Sequence, residues 1–214
     1  MNAPHRPRTG SPGGPASPTA AAKLALRDQL LTVRRRMSLA EAGAAAATIA
    51  EHLLATPEVR RAATVAAYVS RADEPGTGLL LETLRSRGKR VLLPVLLPDG
   101  DLDWAALTDT ATLQRAPRGL LEPDGPRLGA QAVATADVVL VPGLAVSVVG
   151  DRLGRGGGSY DRALGRVPVG TFTCCLLHDH EVGLDVPVEP HDRAVAAAAT
   201  PSGVTRFPAH PGPG

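Results

Sequence analysis

The feature that most constrains this chain is a short apolar run that ends abruptly in a glycine-rich loop. Residues 136–141 read Ala-Asp-Val-Val-Leu-Val and are stopped by Pro142-Gly143. A run of this length, rich in β-branched residues and closed by turn formers, reads as a buried strand. The loop beyond it leads into Gly150-Asp-Arg-Leu-Gly-Arg-Gly-Gly-Gly-Ser-Tyr-Asp161. A helix is predicted from Tyr160 to Leu164.

The rest of the chain alternates in the same way. Leu24, Leu30, Leu31 and Val33 recur at helical spacing among Lys23, Arg27, Arg34 and Arg35, an amphipathic helix with one basic face. Ser38 and Glu41 have the spacing of a capping box, and the Ala-rich run to Leu54 is a second helix, with Pro57 beyond its end. Residues 64–69 are a Val/Ala-rich strand, residues 70–78 a turn-like stretch carrying Asp73 and Glu74, and residues 79–85 a helix with Gly88 at its C-cap. Residues 91–95 form the next strand, expected to end at Pro94, and residues 167–177 contain another. Residues 102–126 give no clear pattern. Strands alternating with helices imply an α/β single domain, a Rossmann-like open, mostly parallel sheet with helices on both faces, spanning residues 20–206. In such sheets ligands bind beyond the carboxyl ends of the strands, where the glycine loop lies. Residues 1–19, rich in Pro, Gly, Ser and Thr, and residues 207–214 read as disordered tails. Apolar residues make up 43% of the chain and aromatics 2%, so the core must be aliphatic.

A formal net charge of +2 gives no reason to expect nucleic-acid or membrane partners. No apolar run approaches the roughly 18 residues of a membrane helix. Arg6 and Arg8 are followed by Pro and Gly, so no signal peptide is read there. Cys174 and Cys175 are adjacent, a spacing that rarely permits an unstrained disulfide. They are expected to be buried on a strand, in keeping with a reducing, cytoplasmic setting. The chain is expected to act as a monomer.

The loop can do chemistry. Glycines let backbone N–H groups approach a phosphate and permit positive φ. A following helix aims its positive end at the same point. Arg152 and Arg155 add charge in a fork geometry, and Asp161 can hold a divalent cation. The set suits a nucleoside triphosphate, yet it matches no standard fingerprint. A Walker A loop needs a Lys, and Ser159 stands where G-x-G-x-x-G would end. The residues alone therefore leave two readings, a phosphate loop or a connection that happens to be Gly-rich. Lys23 and Arg27, four apart on one helix face, either reach a phosphate or are solvated. Glu74 is either a ligand for an amine or pterin-like N–H edge or a plain turn carboxylate. Asp192 becomes a metal ligand only if it folds back onto Asp161. His178 and His180, flanking Asp179, are either a metal cluster or a hydrophilic turn.

The chain resembles the 5-formyltetrahydrofolate cyclo-ligase family. That family has a strand ending in P-G-L followed by roughly G-x-R-L-G-x-G-x-G-Y-Y-D, matched by Pro142-Gly-Leu144 and by Gly150 to Asp161. It has a K-x-x-x-R helix, matched by Lys23 and Arg27, and Y-x-x-x-x-x-E-x-x-T, matched by Tyr68, Glu74 and Thr77. Gly88-Lys-Arg-Val-Leu-Leu-Pro94, Glu122-Pro123, and Val186-Pro187 with Asp192 complete the match in order. The resemblance implies ATP-driven closure of 5-formyltetrahydrofolate to 5,10-methenyltetrahydrofolate, with Mg2+. It implies that Lys23 and Arg27 hold ATP phosphates, and that Arg152, Leu153, Gly154, Arg155, Gly156, Gly157, Gly158, Ser159 and Tyr160 wrap the nucleotide, with Arg152 and Arg155 catalytic. Asp161 and Asp192 would ligate Mg2+, and Glu74 and Ser159 would bind the folate. The chain departs from the family pattern at Val146, Ser147 and Ser159, at Arg118, and at Ala196. Three of these, Val146, Ser159 and Arg118, fall on the folate side.

Overall fold

Order starts with a cap. In the computed structural model, which describes residues 17–116 and 119–208, the Ser17 side chain accepts from the Ala20 N–H at 3.1 Å. Pro18 opens the first helical turn, where its missing N–H costs nothing. Helix α1 (Pro18–Arg34) therefore begins ahead of the expected domain boundary at residue 20. Arg118 and residues 1–16 and 209–214 lie outside the described residues. Helix α2 (Leu39–Ala55) carries the capping box read from Ser38 and Glu41, and Thr56 caps a short α3 (Pro57–Arg61).

Then come β1 (Thr64–Ala66), α4 (Gly78–Ser86), β2 (Arg90–Leu96), β3 (Leu102–Ala106), β4 (Leu113–Arg115), β5 (Leu121–Pro123), β6 (Val138–Pro142), β7 (Ala145–Val146), β8 (Arg152–Leu153), α5 (Ser159–Leu164), β9 (Phe172–Leu176), β10 (Ala197–Thr200) and β11 (Gly203–Arg206). Seven strands form one sheet in the order β11-β10-β9-β6-β1-β2-β3. The five inner strands are parallel, and the edges β3 and β11 run antiparallel. This is the doubly wound α/β sheet expected from the alternation.

Successive residues of each inner strand feed opposite faces. Val138, Leu140, Cys174 and Leu176 join α2 and α4 through Ile49, Leu53, Leu80 and Leu84. Val139, Val141 and Cys175 join Trp104 of β3, α5 through Ala163 and Leu164, and the 3-10 turn Ala130–Thr135 through Val133. Each fully buried Leu contributes roughly 1.5–3 kcal/mol. Cys174 and Cys175 are free thiols, fully buried on opposite faces of β9. Burial pushes the Cys175 thiol up to about 12, so both behave as small apolar residues.

The strand expected to stop at Pro94 continues to Leu96. In β2 the even positions bond toward β1, the Arg90 N–H to Ala63 O and the Leu92 carbonyl to the Ala67 N–H. β1 pairs no further than Leu92, so the N–H that Pro94 lacks would have faced a strand that has already left. β3 pairs with the whole second half of β2. The unread stretch 102–126 supplies β3 and a small antiparallel hairpin, β4 with β5.

Candidate active site

The chain leaves β1 for β2 and β3 on one side, then returns to lay β6, β9 and β10 on the other. β1 and β6 therefore flank the switch point, and the loops after them diverge to leave a crevice. An open cleft of about 970 Å3 occupies it. Tyr68 and Glu74 line it from the loop after β1, Arg152 and residues 154–158 from the loop after β6. Leu96, Leu102 and Leu121 provide an apolar wall.

The glycines of the loop are explained by what lies against them. A Cβ on Gly154 would sit 2.8 Å from Arg152 Nη1, one on Gly156 3.3 Å from Arg27 Cζ, and one on Gly158 3.1 Å from Arg162 Nη1. Three guanidinium groups thus rest on bare backbone, and Gly156 and Gly158 also hold positive φ, 94° and 67°, which an L side chain resists. Gly143, closing the strand, is equally forced: a Cβ there would run into Cys175 Sγ. Helix α5 has only six residues, so the arginines rather than a helix dipole dominate the local field.

Arg152 is 5% exposed. It donates to Pro142 O at 3.1 Å and to Asp161 Oδ1 at 2.8 Å and lies 6.0 Å above the Tyr160 ring. Its Nε and the Tyr68 hydroxyl are buried without a hydrogen-bond partner among the described residues, and both residues line the cleft. Burial, reinforced by the Glu74 charge, pushes both tyrosine hydroxyls up, so each stays a proton donor. Arg155 spans the two loops, 2.5 Å from Asp73 and 3.1 Å from Glu74. Burial opposes its charge, but the two carboxylates outweigh this and raise its pKa. Glu74 also accepts from the Arg71 N–H at 2.9 Å. Ser159 lines the cleft while its hydroxyl donates to Gly100 O at 2.5 Å, pinning the β2–β3 turn to α5.

Not every expected residue lies in the cleft. Leu153 is buried with Leu30, Leu144 and Val186 beneath α1. Lys23 pairs with Glu189 at 2.7 Å and Asp192 at 2.6 Å. Burial works against its charge, yet these partners raise its pKa. Arg27 Nε donates to Gly154 O at 2.8 Å, so it backs the loop from behind. Asp161 Oδ1 also accepts from the Arg193 N–H at 3.2 Å, which joins the loop to the 189–193 segment holding Asp192. Glu189, His191 and Asp192 bring one donor atom each within 4.8 Å of one another; Asp161 is not in that group. His178 and His180 stack at 6.1 Å beside a 3-10 turn after β9, the hydrophilic-turn reading.

Sequence reasoning missed Arg34 and Glu181. Their side chains are 1% and 0% exposed and pair twice, Nε to Oε1 at 2.6 Å and Nη2 to Oε2 at 2.7 Å. Arg34 also donates to Gly143 O at 2.8 Å and Asp73 O at 3.1 Å, tying α1 to both cleft loops. A signal was available: Lys23, Arg27 and Arg34 stand at i, i+4 and i+11, one stripe of the helix. Arg162 was missed as well; it donates to Gly100 O.

Fold and site together define a doubly wound α/β protein whose ligand cleft sits at the switch point, behind a glycine loop ringed by guanidinium groups. The 5-formyltetrahydrofolate cyclo-ligase family model matches residues 19–201, and the chain belongs to that family. It is 43% identical over 143 residues to a 5-formyltetrahydrofolate cyclo-ligase of Mycolicibacterium smegmatis, covering 64% of this chain and 73% of the relative. It is 35% identical over 172 residues to that of Escherichia coli K12, covering 77% and 90%. Among solved structures, an Aquifex aeolicus 5,10-methenyltetrahydrofolate synthetase superposes with a TM-score of 0.74 at 26% identity, covering 86% of this chain and 92% of that one. A Mycoplasma pneumoniae 5,10-methenyltetrahydrofolate synthetase, TM-score 0.67 at 21% identity, covers 84% and 98% and shares the fold. No helix among the described residues is long and apolar enough to cross a membrane.

Proposed function

We propose that the protein closes 5-formyltetrahydrofolate to 5,10-methenyltetrahydrofolate, with ATP as second substrate and Mg2+ as its metal. The observation that carries this reading is the glycine loop lying among guanidinium groups in one cleft with Glu74 and an apolar wall. An amide oxygen leaves poorly, and phosphorylation makes it leave well. The formyl oxygen attacks the γ-phosphorus, forming a P–O bond as the bond to ADP breaks. The second folate nitrogen then attacks the formyl carbon and gives up its proton, the C–O bond breaks, and phosphate departs. Both steps ask mainly for positioning and charge neutralisation.

Arg152, Arg155 and the loop N–H groups neutralise the phosphates, with Lys23 and Arg27 supporting them from α1. Glu74 accepts from the pterin N–H edge, and the Tyr68 hydroxyl donates to an acceptor of the same ligand. In the free protein Arg155 and Glu74 satisfy each other, so a phosphate that takes Arg155 releases Glu74 for the folate. Asp161 and Asp192 fit Mg2+ as hard oxygen donors, each oriented by neighbours: Arg152 and the Arg193 N–H for one, Lys23 and the Glu189 N–H for the other. The metal would add positive charge beside the phosphates. The buried free thiols fit a cytoplasmic setting, and we take the working unit to be a monomer, with the N-terminal tail before Pro18 dispensable for activity.

Absorbance growth from methenyltetrahydrofolate tests the reading, using purified protein with 5-formyltetrahydrofolate, ATP and Mg2+ and omitting each in turn. Growth that needs all three is expected. Growth without ATP, or none with the full set, would overturn it.

A further inference from the structure

Arg162 takes no part in the reaction above, yet its guanidinium bridges two loops. A Cβ on Gly158 of the glycine loop would sit 3.1 Å from Nη1, and one on Gly100 of the β2–β3 turn 3.1 Å from Nη2. Both glycines hold positive φ, 67° and 81°, so bare backbone from two separate loops meets the two ends of one fork. Nη2 also donates to Gly100 O, which accepts from the Ser159 hydroxyl at 2.5 Å as well. Both lone pairs of that carbonyl are therefore filled from α5. Just beyond α5, Arg166 grips Asp101 at two points, 2.9 and 2.5 Å.

The turn carries part of the apolar wall of the cleft. It closes through the Leu97 N–H to Asp101 O and the Gly100 N–H to Leu97 O, each at 2.9 Å. Leu96 and Leu102 pair directly across its base, and both line the cleft. A continuous path thus runs from the glycine loop through Ser159 and Arg162 to Gly100, and from there to the wall. Ser159 is a departure from the family pattern, and its short side chain commits its hydroxyl to the turn rather than to a ligand.

We propose that Ser159 and Arg162 are positioning residues that set the apolar wall from the glycine loop, so that nucleotide and folate each favour the binding of the other. This rests on the cyclo-ligase reading, with phosphates at the loop and the folate ring against Leu96 and Leu102. A triphosphate that orders residues 154–158 also fixes the start of α5, and with it Gly100. The wall is then in place when the folate arrives, and less ordering is left for the folate to bring about. Linkage makes the effect equal in both directions.

The test is the ratio of the dissociation constant for 5-formyltetrahydrofolate alone to that with a saturating non-hydrolysable ATP analogue and Mg2+, measured by calorimetry. It is taken for the unaltered protein, Ser159→Ala, Arg162→Met, the two together, and Ser159→Thr, which keeps the hydroxyl. Every variant retains the Arg166–Asp101 pair, so the turn stays attached beside α5, and thermal unfolding checks that each is folded. The unaltered protein is expected to bind the folate about fivefold or more tighter with the analogue present. Each single loss should cut that ratio by about two- to fivefold, the scale of one hydrogen bond. The double variant should bring it close to one, and Ser159→Thr should restore it. No coupling in the unaltered protein, or a ratio that none of the substitutions changes, overturns the assignment alone. So does weaker binding of each ligand by itself with the ratio preserved, since the contacts would then be direct or merely structural. If the unaltered protein binds neither 5-formyltetrahydrofolate nor the analogue, the cyclo-ligase reading falls and this assignment with it.

Discussion

Arg34→Met tests whether the cleft loops are held together by one buried ion pair. Arg34 and Glu181 lie 147 residues apart and meet with side chains 1% and 0% exposed, so water screens neither. Burial disfavours the Arg34 charge, yet Glu181 outweighs this and raises its pKa. Removing one member leaves a buried carboxylate uncompensated, which costs about 3–5 kcal/mol. Domains are stable by about 5–15 kcal/mol, so the loss is a large share of the total. The carbonyls of Gly143 and Asp73 also lose a donor. Urea unfolding should show a midpoint shift of that size with an unchanged m-value. The double variant Arg34→Met with Glu181→Leu should recover part of it, because no buried charge remains; the orphaned carbonyls, and the His178 N–H that loses Glu181 Oε2, keep it at least about 1–3 kcal/mol short of full recovery. A single-variant loss below about 1 kcal/mol, the value of an exposed pair, would refute the reasoning. So would a double variant no more stable than the single one.

Arg152→Ala removes a charged donor from the cleft and should lower kcat/KM for ATP by about 10- to 150-fold, the equivalent of ~1.5–3 kcal/mol; unchanged ATP dependence in steady-state kinetics would contradict its role. Tyr68→Phe deletes a buried hydroxyl that lacks a partner, so thermal unfolding should show equal or greater stability. KM for the folate substrate should nevertheless rise about three- to tenfold, and a drop in stability with no change in KM would show the hydroxyl to be structural. His178 is held below the usual histidine range, first by burial and opposed by the Glu181 charge. The folded ring stays neutral where the unfolded ring takes up a proton, so stability should fall as pH drops from 7 through 6.5. Urea midpoints across that window should lose part of their slope in His178→Asn, and an identical slope would remove His178 as the cause.

Much of the fold was legible because its signals are local. The capping box of Ser38 and Glu41, the strand before Pro142-Gly143 and the left-handed Gly88 each depend on a few neighbouring residues. The cleft was legible in part for the same reason, since Arg152, Arg155, the glycines and Tyr160 come from one contiguous loop. Residues 102–126 stayed unreadable because strands of three to five residues at a sheet edge are too short to display a period. Pro94 misled because its effect depends on which partner its nitrogen faces, and that is a property of register. Leu153 was grouped with the loop by the family resemblance, whereas the structure packs its side chain into the core beneath α1.

The sequence by itself determined that the chain builds aliphatic strands alternating with helices, and that a basic glycine loop follows one of them. Those properties follow from side-chain period, turn chemistry and capping, all of which act over a few residues. Only the tertiary structure decided which distant groups meet. Glu74 faces Arg155 across 81 residues, Lys23 reaches Asp192 across 169, and Arg34 locks Glu181 beneath both loops. The physical reason is that strand order places β1 beside β6, and that order reflects the burial of two whole sheet faces at once, which no short segment of the chain encodes.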